Sequence, residues 1–185
     1  MDMTSFVNLL LSTLTLAGNV FLALVLLYFA VSFFLKRPAL RGVPRFFEEH
    51  GAVCAFAISL IATLGSLTYS DVIGYEPCKL CWVQRIFMYP QVILFGLTLV
   101  RKEAKKIFPY AVALSLIGAG FALYHYLLQI GVVTTSSCSL VGYSVGCAEV
   151  FTMNFGYITI PFMALTSFLL IVALGALARK RSPAD

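Results

Sequence analysis

The stretch PCKLCWVQRIFMYPQVILFGLTLVRK, residues 77–102, decides the reading of the chain. Cys78 and Cys81 stand at the head of an apolar run that extends from Trp82 to Val100 and stops at the basic pair Arg101 and Lys102. At a helical rise of about 1.5 Å per residue such a run reaches about 28 Å, close to the ~30 Å hydrocarbon layer of a bilayer. It is therefore read as a transmembrane helix with a C-x-x-C at one mouth and cations at the other.

Working outward, four more runs have the same character: Phe6 to Leu35, Gly51 to Ile73, Ile107 to Ile130 and Tyr157 to Ala178. The 185 residues are 61% hydrophobic and 11% charged, with a mean hydropathy of +0.94. A soluble domain is about 45–50% apolar and about 25% charged, so a soluble globular protein, a disordered chain and a collagen-like repeat are excluded. The fold expected is an all-α membrane protein with five spans. The first run has no basic residue before it and a basic cluster after it, the reverse of a signal peptide, and is read as a retained span.

The charge pattern sets orientation. Lys36, Arg37, Arg41 and Arg45 follow span one, Arg101, Lys102, Lys105 and Lys106 follow span three, and Arg179, Lys180 and Arg181 follow span five. These three segments share one side and hold eleven of the thirteen basic residues, which assigns that side to the cytoplasm and the N-terminus to the outside. The net charge of +5 is thus a topology signal and no sign of nucleic-acid binding. Residues 1–35 are read as an additional N-terminal span, 36–50 as an irregular connector on the headgroups, 51–178 as a four-helix domain and 179–185 as a cytoplasmic tail.

Of five cysteines, Cys78, Cys81, Cys138 and Cys147 fall in outer segments, where disulfides can persist, and Cys54 lies alone near the inner end of span two. Pro77 suits the first position of a helix, which would put both thiols of the C-x-x-C in its first turn, where the positive end of the helix dipole favours thiolate. Arg85, four residues after Cys81, lies on the same face one turn deeper. A cation there either snorkels to the headgroups or serves a site. Beside a cysteine pair it suits a lipid-soluble oxidant whose reduction develops negative charge.

Cys138 and Cys147 are separated by eight residues that include Gly142 and Gly146, so a disulfide between them is sterically open, either as a staple of the loop or as an exchanging pair. His125, near the outer end of span four, lies at a depth similar to that of Arg85; it either bounds a quinone ring together with Arg85 or is hydrogen-bonded between helices. Gln84 and Gln129 are weaker polar candidates. Pro90 is expected to kink span three.

Proline followed by C-x-x-C at the start of a span, an arginine four residues later, a histidine on the next span and a later outer cysteine pair resemble the DsbB disulfide bond formation family. The tail from Cys147 through Asn154 to Pro161 looks like its BdbC-type branch. The resemblance covers about Gly51 to Ala178 and implies a four-helix bundle of the DsbB type, to which the first span is an addition. It departs from vitamin K epoxide reductase, which it otherwise resembles, in that the loop pair follows the C-x-x-C. The resemblance implies a bacterial cytoplasmic-membrane enzyme that reoxidises a thioredoxin-like, DsbA-like thiol oxidase outside the cell membrane and passes the electrons to ubiquinone or menaquinone. It implies that Cys138 forms the mixed disulfide with that partner, that Cys147 pairs transiently with Cys78, and that Cys81 is then released as a thiolate next to quinone, with Arg85 stabilising the charge. Quinone-binding candidates are Arg85, His125 and Gln84, and no metal is expected. The competing readings are a closed thiolate metal site made by the four outer cysteines, a disulfide-stapled subunit without turnover, and a transporter, for which the spans lack buried acidic residues.

Overall fold

The computed structural model describes residues 2–35, 42–101, 104–133 and 146–179. Among the described residues there are five α-helices: α1 Met3–Phe34, α2 Gly42–Leu67, α3 Lys79–Arg101, α4 Ala104–Gln129 and α5 Ile160–Arg179. All five are long and apolar enough to cross a membrane, and among the described residues the only extended pairing is a single bridge between Asn154 and Ile158. The all-helical membrane fold read from the sequence is the one the chain adopts.

The ends of the helices differ from expectation in places. α2 begins at Gly42, inside the segment read as an irregular connector. Pro44 does not prevent this, because a proline in the first turn lacks only an N–H that has no intrahelical partner anyway. At its other end α2 widens into a π-helical turn, Thr68–Val72, which closes with the Ile73 N–H donating to the Thr68 carbonyl. α4 stops at a Schellman motif. Gly131 adopts φ +75°, its N–H reaches the Leu128 carbonyl, and the Val132 N–H reaches that of Leu127.

Helices α2 to α5 form a ring in which each packs on its sequence neighbour and α5 closes back onto α2. Lipid tails are as apolar as leucine, so this ring is held by close packing and internal hydrogen bonds more than by a hydrophobic drive. Phe95, Phe168, Ile171 and Leu174 fill its centre. The fit is closest between α4 and α5: a Cβ at Gly118 would run into the ring of Phe168, and one at Gly175 into Val112. Gln91 is fully buried on α3, where it donates to the Phe87 carbonyl at 2.9 Å and accepts from the Ser115 hydroxyl at 3.1 Å.

α1 lies outside the ring, against α5. Its buried positions are Ser12, Thr15, Gly18, Val25 and Ser32, mostly small residues of the kind that let helix backbones approach in lipid. The opposite face, with Leu10, Leu24, Leu26 and Leu27, is exposed to the bilayer.

Candidate redox site

The C-x-x-C lies at the junction of the π-helical turn and α3. Pro77 is outside the helix, and Cys78 is its N-cap rather than part of its first turn. The Cys78 carbonyl accepts the first helical bond, from the Trp82 N–H at 3.2 Å, while its sulfur accepts from the Cys81 N–H at 3.4 Å. Sulfur thus takes the place that a serine or aspartate oxygen holds in an ordinary N-cap. Cys81, in the first turn, directs its thiol at Cys78 Sγ across 3.2 Å.

His125, fully buried near the C-terminal end of α4, stands on the other side of Cys78. Its Nε2 lies 3.0 Å from the Cys147 carbonyl and 3.6 Å from Cys78 Sγ. A carbonyl only accepts, so Nε2 carries the proton. The amide nitrogen of Gln84 then donates to Nδ1 at 2.9 Å. One N–H is shared between the Cys147 backbone and the Cys78 sulfur.

These contacts make Cys78 acidic. The hydrogen bond from the Cys81 thiol is the main cause, opposed by burial and reinforced by His125 and by the Cys81 N–H; together they bring the Cys78 thiol down to about 4. In this dithiol the thiolate therefore sits on Cys78 and Cys81 is the donor; the Cys81 thiolate implied by the resemblance belongs to a different state, in which Cys78 is joined to Cys147.

Cys54, Cys78 and Cys81 are free, and Cys147 is disulfide-bonded. Cys138 lies outside the described residues. Cys78 and Cys147 are both buried in one small cluster with Leu128, flanked by Cys81, Leu80 and Val133. Cys54 packs against the central core, far along α2 from the other cysteines.

Arg85 faces the other way. Its Nε donates to the Ser66 hydroxyl and its Nη2 to the Ser66 carbonyl, both at 3.0 Å. The guanidinium carbon lies 5.0 Å from the centre of the Trp82 ring and 6.0 Å from that of Tyr89, distances at which an aromatic face attracts a cation. Both hydrogen bonds end on neutral oxygens, so the charge is held without being cancelled. Ser66 was not singled out from the sequence; a lone serine in an apolar span carries no spacing signal toward a cation nineteen positions later.

Arg85, Gln84 and Cys81 border a cavity of about 250 Å³ that Ser66, Tyr69 and Met163 also line. Tyr69, Tyr75 and Phe151, which also line it, stack in sequence with centroid separations of 5.9 and 4.8 Å. His125, expected to bound the same space as Arg85, is not in its wall: it lies behind Gln84 on the side of the loop cysteine. Gln129 is also elsewhere, donating to the Glu149 carbonyl at 2.8 Å. Cys78, Cys81 and His125 additionally place three ligand atoms within 4.8 Å of one another.

Such a buried dithiol, set between a disulfide-bonded cysteine and a cation-bearing cavity in a helical membrane bundle, defines a membrane thiol oxidoreductase. The family profile of the disulfide bond formation protein DsbB matches residues 48–178, and the chain belongs to that family. It is 42% identical over 124 residues to the "Probable disulfide formation protein C 1" of Bacillus anthracis, covering 67% of this chain and 88% of that protein. It is 38% identical over 118 residues to the "Disulfide bond formation protein C" of Bacillus subtilis, covering 64% and 84%, and 34% identical over 127 residues to a "Probable disulfide formation protein" of Metapseudomonas resinovorans, covering 68% and 86%. No solved structure matches the chain. α1 lies wholly N-terminal to the matched residues.

Proposed function

We propose that the chain is a protein-dithiol:quinone oxidoreductase of a bacterial cytoplasmic membrane, with its cysteine end facing outward, that reoxidises a thioredoxin-like thiol oxidase. The observation that carries this reading is the position of the C-x-x-C, with Cys78 packed beside the disulfide-bonded Cys147 and Cys81 opening on the cavity that holds Arg85.

The exchange balances in three transfers of two electrons. A reduced partner dithiol attacks the loop disulfide of Cys138 and Cys147, leaves oxidised, and leaves both loop thiols reduced. Cys147 then attacks Cys78 of a Cys78–Cys81 disulfide and releases Cys81, and Cys138 closes back onto Cys147 to release Cys78. The free Cys78 and Cys81 beside a disulfide-bonded Cys147 are the arrangement expected at that point. Cys78 is a good leaving group in this step because its thiolate receives two N–H groups and a thiol.

A quinone in the cavity would accept the two electrons and two protons given up as Cys78 and Cys81 rejoin. The cavity fits such a ring: a cavity of about 150 Å³ already holds benzene, the walls are mainly apolar, and one donor-rich cation is available to a carbonyl oxygen. Arg85 positions and stabilises that oxygen, Ser66 fixes Arg85, and the aromatic stack keeps water out. Loss of quinone absorbance with purified protein and a reduced thioredoxin-like oxidase tests the reading. Turnover by the native chain, abolished in Cys81→Ser, is the expected result; turnover that survives Cys81→Ser would refute it. In Cys138→Ser, partner oxidation is expected to be lost.

A second reading has one observation in its favour, the three ligand atoms of Cys78, Cys81 and His125. A metal held there would occupy both thiolates and leave neither free for exchange. Stoichiometric metal in the purified protein together with no quinone turnover would establish it.

A further inference from the structure

The family profile matches from residue 48 onward, yet α1, which precedes the matched residues, also lines the cavity. Leu11, Leu14 and Thr15 of α1 complete its wall, on the side opposite Arg85, Gln84 and Cys81 of α3.

α1 is fixed in that place by several contacts. The Asn154 amide, in the turn before α5, donates to the Ser12 hydroxyl at 2.7 Å and to the Asn8 carbonyl at 3.4 Å. The Thr166 hydroxyl of α5 contacts Asn19 Oδ1 at 3.0 Å. Gly18 lets the helix settle so closely on α5 that an added Cβ would stand 3.0 Å from Leu170 and 3.1 Å from Thr166. On the other flank Leu11 reaches α2, where a Cβ at Gly65 would meet it at 3.1 Å. The outer half of α1 therefore bridges α5 and α2 across the cavity.

What α1 offers there is hydrocarbon. Leu11 and Leu14 are aliphatic, and the Thr15 hydroxyl is bonded to the Leu11 carbonyl at 2.8 Å, which leaves its methyl for the cavity. The cation, amide and thiol all come from α3. A ligand with a polar ring and an apolar chain is thereby oriented, ring toward α3 and chain toward α1.

We propose that α1 is the tail-binding wall of the quinone site, with Leu14, Leu11 and the Thr15 methyl contacting the isoprenoid chain and setting the affinity for tailed quinones. This rests on the quinone reading of the cavity. Trp82, the only tryptophan, stands against Arg85 and reports binding by fluorescence quenching without turnover.

The experiment titrates the full-length protein, without reduced partner, with a decyl-tailed quinone and with its tailless counterpart. Leu14→Phe, which fills the space from the α1 side, is expected to weaken the tailed quinone about tenfold and the tailless one by less than about twofold. Val20→Phe, on the lipid face of the same helix, is expected to change neither. A decyl quinone photoreactive at the end of its tail is expected to label the α1 peptide of the native chain. Equal weakening of both quinones by Leu14→Phe, no weakening of either, or label confined to α2–α5 would overturn the inference while leaving the quinone reading intact. No quenching of the native protein by either quinone would overturn both.

Discussion

The side-chain amide of Gln84 on α3 holds Nδ1 of His125 on α4 at 2.9 Å and so fixes the imidazole proton on Nε2, the nitrogen nearest Cys78. A glutamine whose amide bonds the histidine thus determines whether Cys78 has a hydrogen-bond donor on its far side. Gln84→Leu frees the ring and leaves Nδ1 buried without a partner. The expected outcome is a Cys78 that ionises at higher pH and a loop-to-C-x-x-C exchange slowed about tenfold, the order of one hydrogen bond to a charged group. Stopped-flow exchange in Gln84→Leu, with Gln84→Asn as the conservative comparison, measures it.

Cys78 is expected to titrate at about 4, against about 8.5 for an ordinary thiol. Because the value in the folded protein is depressed, the thiolate persists as pH falls from 8 to 5 and disappears only as pH passes through about 4. The stabilisation it lends the fold is complete above the ordinary thiol pKa and is lost across the same descent. The thiolate ultraviolet absorbance of the native protein minus that of Cys78→Ser, followed from pH 9 to 3, checks both the midpoint and the sign.

Ser66 provides both hydrogen-bond acceptors of Arg85, one through its side chain and one through its backbone. Ser66→Ala removes only the first, so the apparent KM for quinone is expected to rise about threefold, and Arg85→Ala to raise it about tenfold or more. Steady-state quinone reduction at saturating partner reads both. An unchanged KM in Arg85→Ala would return Arg85 to the role of an interfacial arginine that snorkels.

Gly118 is buried where α4 meets the ring of Phe168, itself fully buried. A larger residue cannot be accommodated by a flexible chain end, since the obstacle is a rigid ring inside the core. Gly118→Val is expected to destabilise the bundle by about 1–3 kcal/mol. Thermal unfolding in detergent, compared with a substitution at lipid-facing Gly120, isolates the packing effect.

The spans could be read directly because lipid demands unbroken apolar runs. The chemistry of Cys78 could not. Whether Pro77 lies in or before the helix changes the cap by a residue, and that single step moves the sulfur from the first turn into the capping position. Arg85 was visible from its spacing, but its anchor Ser66 is on another helix and meets it only through packing. His125 was visible as a buried polar group, while the side of Gln84 on which it stands depends on helix rotation. α1 was legible as a span and silent as a wall, since its contact face is written in Ser12, Thr15 and Gly18 and not in a stripe of large apolar residues.

The cap sulfur of Cys78 also bears on the direction of electron flow. Whatever ionises one thiol of a pair easily stabilises the reduced pair, and so raises the reduction potential of its disulfide. A disulfide between Cys78 and Cys81 is therefore avid for electrons from ordinary thiols, which makes the hand-over from the loop the downhill part of the proposed route. Emptying the pair again would be the demanding part, and in the proposed route it falls to the quinone, whose own avidity has to exceed that of the pair. The residue that caps α3 sets a thermodynamic threshold that any such acceptor has to clear.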